Sequence, residues 1–108
     1  MIYELRVYRA VPGCLAALIA RFQNHTLRIW DRLGIRQTGF WTTIVGASNQ
    51  ELFYMLAWND IAEREKRWNA FLADPEWLEV VAESERHGQL VADIRNTLLA
   101  PTAFSAAN

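Results

Sequence analysis

The residues 51–65, ELFYMLAWNDIAERE, change from an apolar run to a charged run at Asn59-Asp60. The apolar part, residues 52–58, is too short for an ordinary helix and is rich in strand-forming residues. Asp60 is a favoured N-cap residue, and Glu63, three positions later, completes the pattern of a capping box. This segment is therefore predicted to be a buried strand followed almost directly by a helix, against which the rest of the chain packs.

The length and composition of the chain predict one small domain. At 108 residues the chain is long enough for one two-layer core. It contains five Trp, five Phe and three Tyr, more than one small core holds, so some of these side chains are expected to line a pocket or a subunit interface. Residues 1–105 are assigned to the domain, and residues 106–108 are expected to form a loose C-terminal tail.

Charge and cysteine content argue against several classes of function. The net charge is −1, with acidic and basic residues interspersed, which argues against a nucleic-acid partner and against a polybasic membrane patch. The single Cys14 excludes an internal disulfide and a cysteine-based metal cluster. No signal peptide precedes Ile2, and no apolar run approaches the ~20 residues that a membrane span needs. The expectation is a cytoplasmic protein with no membrane insertion, metal site or cofactor.

The first strand and helix are predicted from two different periodicities. Residues 2–9 alternate with period two, so that one strand face is apolar and the other mixed, with Tyr3, Leu5 and Val7 opposed to Glu4, Arg6 and Tyr8. Pro12-Gly13 breaks this strand. Apolar residues then recur at helical spacing, so residues 14–33 are predicted to form one long amphipathic helix that ends at Gly34.

The remaining elements complete a split βαβ plan. Residues 35–45 are predicted as a second strand that forms a hairpin with the third through a turn at residues 46–49. Asp74-Pro75 begins a short helix that ends near Gly88, and residues 90–99 form the last strand. The resulting fold class is α+β, a ferredoxin-like βαββαβ domain with a four-stranded antiparallel sheet and helices on one face. Because the strands are apolar on both faces, the uncovered face is predicted to join two chains into a homodimer.

Six short motifs follow one another along the chain: IYELRVYRAVPG at 2–13, GFWTTIVG at 39–46, Asn49 before the third strand, AWNDIAERE at 57–65, DPEW at 74–77 and LLAPTAFS at 98–105. Their order and spacing resemble those of the NIPSNAP family. The resemblance covers nearly the whole chain and implies a ferredoxin-like domain that dimerises into an α/β barrel. The wider barrel superfamily includes cofactor-free monooxygenases, haem-handling enzymes and stress proteins, whereas the NIPSNAP branch has no well-established reaction. Leu56 and Trp58 depart from the residues common in relatives, tryptophan and tyrosine respectively, and would alter a pocket floor.

Two histidines are candidates for proton transfer or binding. His25 follows Phe22 by three residues and falls on or beside the apolar stripe of the first helix, where it could act as a base, donate to a substrate or ligate a haem. The alternative, which we favour, is a partly buried histidine satisfied by a backbone carbonyl or water. His87 lies near the end of the short helix and is expected at the surface.

Charged and aromatic residues on the strands form the predicted binding site. Arg6 is the cation expected over the sheet, and Arg95 could join it to bind a carboxylate or carbonyl oxygen. The alternative is that Glu4 pairs with an arginine across neighbouring strands and holds their register. The central hairpin also carries three aromatic residues, Trp41, Tyr54 and Trp58. They would form the walls of a site for a flat ligand, or alternatively they pack in the hydrophobic core.

Other large or charged side chains are predicted to have structural or surface roles and not to take part in a site. Trp30, Trp68 and Trp77 are predicted to pack between helices or at an interface. Arg64 and Arg67 are predicted to form a solvated helix face with neighbouring glutamates. The chain contains no nucleophile elbow, phosphate-binding loop or dinucleotide fingerprint.

The leading hypothesis is a dimeric barrel that binds a small hydrophobic or aromatic molecule between sheet and helices. By analogy with the superfamily, any catalysis would be a cofactor-independent oxygenation or isomerisation, with Arg6 holding the substrate oxygen and His25 or Tyr54 moving a proton. The predicted binding residues are Arg6, Tyr8, His25, Trp41, Tyr54, Trp58 and Arg95. The alternative is a non-catalytic dimeric interaction or scaffold module, and a haem protein is a weaker third hypothesis.

Overall fold

The computed structural model describes residues 1–107. Its elements, in chain order, are β1 (Ile2–Ala10), α1 (Leu15–Arg21), a π-helical segment (Phe22–Thr26), α2 (Leu27–Leu33), β2 (Arg36–Thr42), β3 (Glu51–Trp58), α3 (Ile61–Leu72), α4 (Pro75–Ser84) and β4 (Val91–Leu99). Within these residues no helix is both long and apolar enough to cross a bilayer.

The four strands form one antiparallel sheet in the order β2-β3-β1-β4. In the two central strands Arg6 lies opposite Tyr54, and on the outer sides Asn96 pairs with Arg6 and Phe40 pairs with Tyr54. The helices pack on one side of this sheet, around a core that contains the fully buried Trp30 and Trp58. The α+β, ferredoxin-like fold predicted from the sequence is confirmed.

The third strand passes into its helix as predicted, with one change in the cap. Asp60 is the N-cap of α3, and its Oδ1 accepts a hydrogen bond from the backbone N–H of Glu63 at 2.8 Å. The Glu63 carboxylate reaches back to the backbone N–H of Asn59 at 2.9 Å, one residue before the expected partner. Both interactions satisfy backbone donors at the helix start, where the helix itself supplies no acceptor.

The first helix differs from the prediction of one regular helix. Its two α-helical parts are joined by the π segment, in which the N–H of Leu27 bonds to the carbonyl of Phe22, five residues earlier. A π turn holds more residues than an α turn, so the three residues from Phe22 to His25 advance by a smaller angle around the helix axis than they would in an α-helix. His25 is therefore exposed, and Thr26 takes the buried position. The helix ends as predicted at Gly34, in the left-handed conformation with φ 76°.

Two predicted boundaries are wrong. β2 ends at Thr42 instead of extending to Val45, and Ile44 and Val45 lie in the loop with 97% and 94% of their surface exposed. Strand-forming side chains could not extend β2, because Thr42 pairs with Leu52 near the start of β3 and the following residues have no strand opposite. α4 ends at Ser84, and residues 85–88 form a turn.

The expected loose tail, residues 106–108, is described only in part. Asn108 lies outside the described residues. The carbonyl of Ala107 accepts a hydrogen bond from the Tyr3 hydroxyl at 2.7 Å, which connects this end of the chain to β1. The assignment of residues 106–108 as loose stays a prediction.

The two faces of the sheet have different environments. Alternate residues of the central strands lie beneath the helices and are nearly or fully buried: Glu4, Arg6, Tyr8, Leu52, Tyr54, Leu56 and Trp58. The intervening residues lie on the uncovered face: Tyr3, Leu5, Val7, Phe53, Met55 and Ala57. The mixed face of β1 thus packs against the helices, and its apolar face does not.

Candidate functional site

Four side chains meet around the carboxylate of Glu4 beneath the helices. Glu4 is 0% exposed, and its oxygens accept hydrogen bonds from Arg6 Nη1 at 2.9 Å and from Asn96 Nδ2 at 2.9 Å. Arg64 donates from Nε at 2.8 Å and from Nη2 at 3.0 Å, and Trp58 donates from Nε1 at 3.1 Å. We call these five residues the Glu4 cluster. Both oxygens of the carboxylate therefore accept two or more hydrogen bonds.

The Glu4 cluster holds its carboxylate ionised. Burial raises the pKa of Glu4, but the hydrogen bonds from Arg64 and Asn96 and the charge of Arg6 outweigh it, leaving the pKa at about 2, against 4.5 for an ordinary glutamate. A carboxylate with so low a pKa and with both oxygens occupied is a poor proton acceptor. Glu4 therefore orients Arg6 and anchors α3 to β1 through Arg64.

A second chain of hydrogen bonds runs from Arg6 to two tyrosines. Arg6 Nε donates to the Tyr54 hydroxyl at 2.8 Å, and Tyr54 donates to the Tyr8 hydroxyl at 3.0 Å. Burial, reinforced by Tyr8, raises the pKa of Tyr54 well above its usual value, although Arg6 acts in the opposite direction. Burial lowers the pKa of Arg6, but the neighbouring Tyr54, Tyr8 and Glu4 leave it above its usual value. The chain therefore connects a cation through the protonated Tyr54 to the Tyr8 hydroxyl, and it can stabilise an oxygen that gains negative charge.

This polar chain reaches the floor of an open groove of about 820 Å3 between the sheet and the helices α3 and α4. The lining includes Arg6, Tyr8, Trp68, Phe71 and Trp77. The Arg6 guanidinium lies over the Trp68 ring at 4.4 Å from its centroid, within the range of a cation–π interaction. We call this the Arg6 groove, because it combines a fixed cation with an aromatic wall.

Two other concavities lack this combination. An apolar cleft of about 290 Å3 lies beside the first helix at the β2 edge, lined by Ile19, Phe22, Gln23, Leu27, Phe40, Trp41, Thr42 and Leu52. An outer groove on the far side of α4 has an acidic lining together with both histidines, including Glu76, Glu79, Glu83, His25 and His87. Among residues 1–107, no three His, Cys, Asp or Glu side chains are arranged so as to hold a metal ion.

Four of the predicted site residues come together. Arg6 and Tyr8 line the Arg6 groove, while Tyr54 and Trp58 lie directly beneath them in the two hydrogen-bonded systems. Tyr54 and Trp58 are each 0% exposed. They support the groove floor and do not form the ligand-facing walls that the sequence suggested.

The other three predicted site residues lie elsewhere. His25 is turned to the outer groove by the π segment. Trp41 borders the apolar cleft, but it pairs with Phe53 on the uncovered face and is 52% exposed. Arg95 cannot join Arg6, because it pairs with Val7 on the uncovered face, where its Nη2 lies 2.8 Å from Glu51 Oε2. Neighbouring residues on a strand point to opposite faces, so the positions of Trp41 and Arg95 are fixed by the register.

Sequence reasoning missed several residues of the site. Arg64, predicted to be solvated, binds Glu4, and the Glu4–Arg6 ion pair forms within one strand instead of across two. No local sequence signal indicated Arg64, because the burial of Glu4, which requires cationic partners, depends on which face of β1 the helices cover. Trp68, Trp77 and Arg21 were not assigned to the site; Arg21 stands within the apolar stripe of α1, which is unusual for a charged residue.

Comparison with known proteins identifies the family. A solved structure of a protein from Agrobacterium tumefaciens is 27% identical, with 98% of each chain covered and a TM-score of 0.84. An uncharacterized NIPSNAP-like domain protein from Burkholderia xenovorans is also 27% identical, with 96% of this chain and 87% of that chain covered and a TM-score of 0.84.

A more distant structure, an antibiotic biosynthesis monooxygenase, is 9% identical, with 94% of this chain and 99% of that chain covered and a TM-score of 0.62, and shares the fold alone. No protein of curated function gave a significant sequence match.

The family model for NIPSNAP matches residues 3–106. Because that match extends over nearly the whole sequence, the chain belongs to the NIPSNAP family.

Proposed function

We propose that this NIPSNAP protein binds a small hydrophobic or aromatic molecule in the Arg6 groove. The observation that carries the proposal is the meeting of a buried, hydrogen-bonded cation with an aromatic wall that lines the same groove. Arg6 is 7% exposed, held by Glu4 and Tyr54, and covered on one side by the Trp68 ring. Ligand sites typically combine an apolar surface with a few fixed polar groups in this way. Arg6 and Tyr8 would bind an acceptor oxygen of the ligand, and Trp68, Phe71 and Trp77 its apolar part.

A reaction in this groove would use stabilisation of negative charge. Arg6 stays cationic and Tyr54 stays protonated, so both favour a carbonyl, enolate or phenolate oxygen that gains charge. Cofactor-independent oxygenation and isomerisation both pass through such anions, and the fold shared with a monooxygenase is consistent with this class. Tyr54 acts through Tyr8, since Tyr54 itself is fully buried. His25 has no part in this proposal.

The proposal is tested by blocking the groove without disturbing the Glu4 cluster. Ile94 lines the groove from β4 and is 45% exposed, so Ile94→Trp places a large ring in the groove. Leu98 lies on the same strand, is 43% exposed and is not part of the groove lining, so Leu98→Trp is the matched control. Native mass spectrometry of gently purified protein, followed by the denatured spectrum, detects a retained small molecule.

The expected result is an additional mass in the wild type and in Leu98→Trp that disappears on denaturation and is missing from Ile94→Trp. If nothing is retained, the three proteins are titrated with a panel of aromatic carboxylates and ketones by calorimetry, and the same pattern is expected. Equal binding to wild type and Ile94→Trp contradicts the groove as the site. A folded wild type that binds no compound of the panel contradicts the proposed function.

A second candidate function, a dimeric interaction or scaffold module, is favoured by the uncovered sheet face. That face carries six apolar or aromatic residues of the central strands, and the loop after β2 presents Ile44 and Val45 almost fully to solvent. An apolar sheet face that no helix covers typically binds another protein surface. We propose that a second copy of the chain covers it, and the homodimer is common to both candidate functions. Ligand binding in the groove distinguishes them.

A further inference from the structure

Arg21 is a second buried arginine of the Arg6 groove. It ends α1, immediately before the π segment, and is 6% exposed. Its guanidinium carbon lies 5.3 Å from the centroid of the Trp77 ring. Arg21 and Trp77 both line the groove, as do Arg6 and Trp68. The groove therefore contains two arginine–tryptophan pairs, contributed by the first helix and β1 on one side and by α4 and α3 on the other.

The guanidinium of Arg21 is weakly compensated for a buried charge. Its hydrogen bond to Ser84 Oγ, at 3.3 Å, and its ion pair with Glu85 Oε1, at 3.6 Å, both involve Nη1. Within residues 1–107, its buried Nε has no hydrogen-bond partner. Glu85 Oε1 also accepts from the backbone N–H of Leu90 at 3.4 Å, and the Glu85 side chain is 29% exposed. A guanidinium has five N–H donors, and burying one is costly unless it is well paired.

Arg6 is in the opposite situation. Its Nε and Nη1 are both committed, to Tyr54 and Glu4, at 2.8 and 2.9 Å. The polar partners that fix Arg6 thus also occupy two of its three nitrogens, whereas Arg21 retains donors for an external group. The arginine best suited to a full negative charge on a ligand is therefore Arg21.

An aromatic strip connects the two arginines. The ring centroids of Trp68 and Phe71 are 5.0 Å apart, and those of Phe71 and Trp77 are 4.6 Å apart. Arg6 lies over the Trp68 end of this strip and Arg21 over the Trp77 end. Trp68 and Phe71 are only 8% and 2% exposed, so a planar aromatic molecule would pack against the part of these rings that faces the groove, while an anionic group at its end forms charge-assisted hydrogen bonds with a guanidinium.

We infer that the Arg6 groove selects planar aromatic anions and that Arg21 pairs with the anionic group. This inference rests on the proposed function, for which it specifies the class of ligand. A carboxylate is the simplest such anion, because its two oxygens match the fork of a guanidinium.

The test compares naphthoate with naphthamide, which have the same ring system and differ in charge. For the wild type, calorimetry is expected to give a dissociation constant about tenfold lower for naphthoate than for naphthamide, because hydrogen bonds between charged groups are stronger than those between neutral groups. Arg21→Gln is expected to bind naphthoate and naphthamide with about equal affinity, and its affinity for naphthamide is expected to match that of the wild type. Arg86→Gln is the matched control, since Arg86 is exposed and pairs with Glu83 on the outer surface.

Each outcome separates this inference from the proposed function. Equal affinity of the wild type for both compounds, or an unchanged preference in Arg21→Gln, overturns the role of Arg21 and leaves groove binding intact. Binding of neither compound by folded wild type overturns both.

Should Arg21→Gln not fold, the wild type alone decides the question by NMR. The Nε–Hε signal of Arg21 is expected to shift on titration with naphthoate and to stay in place with naphthamide. The signal of Arg86 stays in place with both compounds. Naphthoate binding with no shift at Arg21 contradicts the inference.

Discussion

Glu4 shows how a single buried charge organises the covered face of the sheet. It lies in β1, but its partners come from α3, β3 and β4 as well as from its own strand. Removing one partner of a buried ion pair costs several kcal/mol of stability, because the other partner is left as an uncompensated buried charge. The Glu4 cluster therefore connects the strands and α3 in addition to fixing Arg6 beneath the groove.

The low pKa of Glu4 makes stability depend on pH. Its pKa is about 2 in the folded chain and near 4.5 when unfolded, so the unfolded chain takes up the proton first as the pH falls. The contribution of Glu4 to the unfolding free energy is complete above pH 4.5, declines as the pH falls below that value and is lost near pH 2. The difference between the two pKa values corresponds to about 3 kcal/mol. Glu4→Gln is expected to lower the unfolding free energy at pH 7 and to give a shallower decline between pH 5 and pH 3.

Urea unfolding across this pH range measures the effect. Glu79→Gln is the control, because Glu79 is exposed on α4, and its curve is expected to run parallel to that of the wild type. A Glu4→Gln curve that also runs parallel to the wild type would show that the carboxylate is not held ionised.

At the scale of elements, the π segment decides which residues of the first helix face the sheet. Phe22 and Thr26, the first and last residues of the segment, are both buried, whereas His25 is exposed. A π turn is equivalent to an α-helix with one inserted residue. Removing one residue should therefore restore a regular helix and leave the buried faces before and after it in place.

Deletion of Asn24 is accordingly expected to give a cooperatively folded protein. Deletion of Arg28, in the regular part of the helix, is the control, because it rotates the preceding turns relative to Ile29 and Trp30 by about 100°. Denaturant unfolding is expected to show a much larger loss of stability for the Arg28 deletion. Equal losses for the two deletions would mean that the π geometry is itself required for packing.

At the scale of the whole molecule, the sheet has one face under helices and one apolar face without them. Val7 and Ala57 are only 7% and 6% exposed there in the isolated chain, and larger residues such as Phe53 and Met55 surround them. Charged pairs border the same face: Arg95 with Glu51, and Arg9 with Asp93. An apolar centre with a charged rim is the usual composition of a subunit interface.

Phe53→Lys is expected to convert the proposed homodimer into a monomer, because it would bury a lysine from each chain at the centre of a two-fold interface. Sedimentation velocity at micromolar concentration measures this change. Ile61→Lys is the control, since Ile61 lies on α3 away from the sheet and is 52% exposed. A wild type that sediments as a monomer contradicts the proposed dimer, and a dimeric Phe53→Lys contradicts the proposed face.

The order of elements could be predicted from local sequence, because the signals involved act over only a few residues. The alternation in residues 2–9, the N-caps at Asp60 and Asp74, and the glycine that ends the first helix all have the predicted roles. With four strands and intervening helices in this order, the antiparallel sheet with helices on one side follows from known connection rules.

The site could be predicted only in part, because its residues are brought together from distant positions. Arg6, Tyr8, Tyr54 and Trp58 were identified, as they alternate onto one face of neighbouring strands. The partnership of Arg64 with Glu4 and of Arg21 with Trp77 depends on how α3, α4 and the first helix pack on the sheet. No periodicity encodes such contacts between residues more than fifty positions apart.

By itself, then, the sequence determined the elements and the two alternating faces of each strand, because backbone geometry and side-chain alternation are local properties. Which of those faces lies under the helices was decided by tertiary structure, since a strand that is apolar on one side and mixed on the other can be covered on either. Here the mixed side of β1 is covered, because Arg64, Asn96 and Trp58 satisfy the buried carboxylate of Glu4. That choice places Arg6 in the groove and leaves the apolar side for a partner.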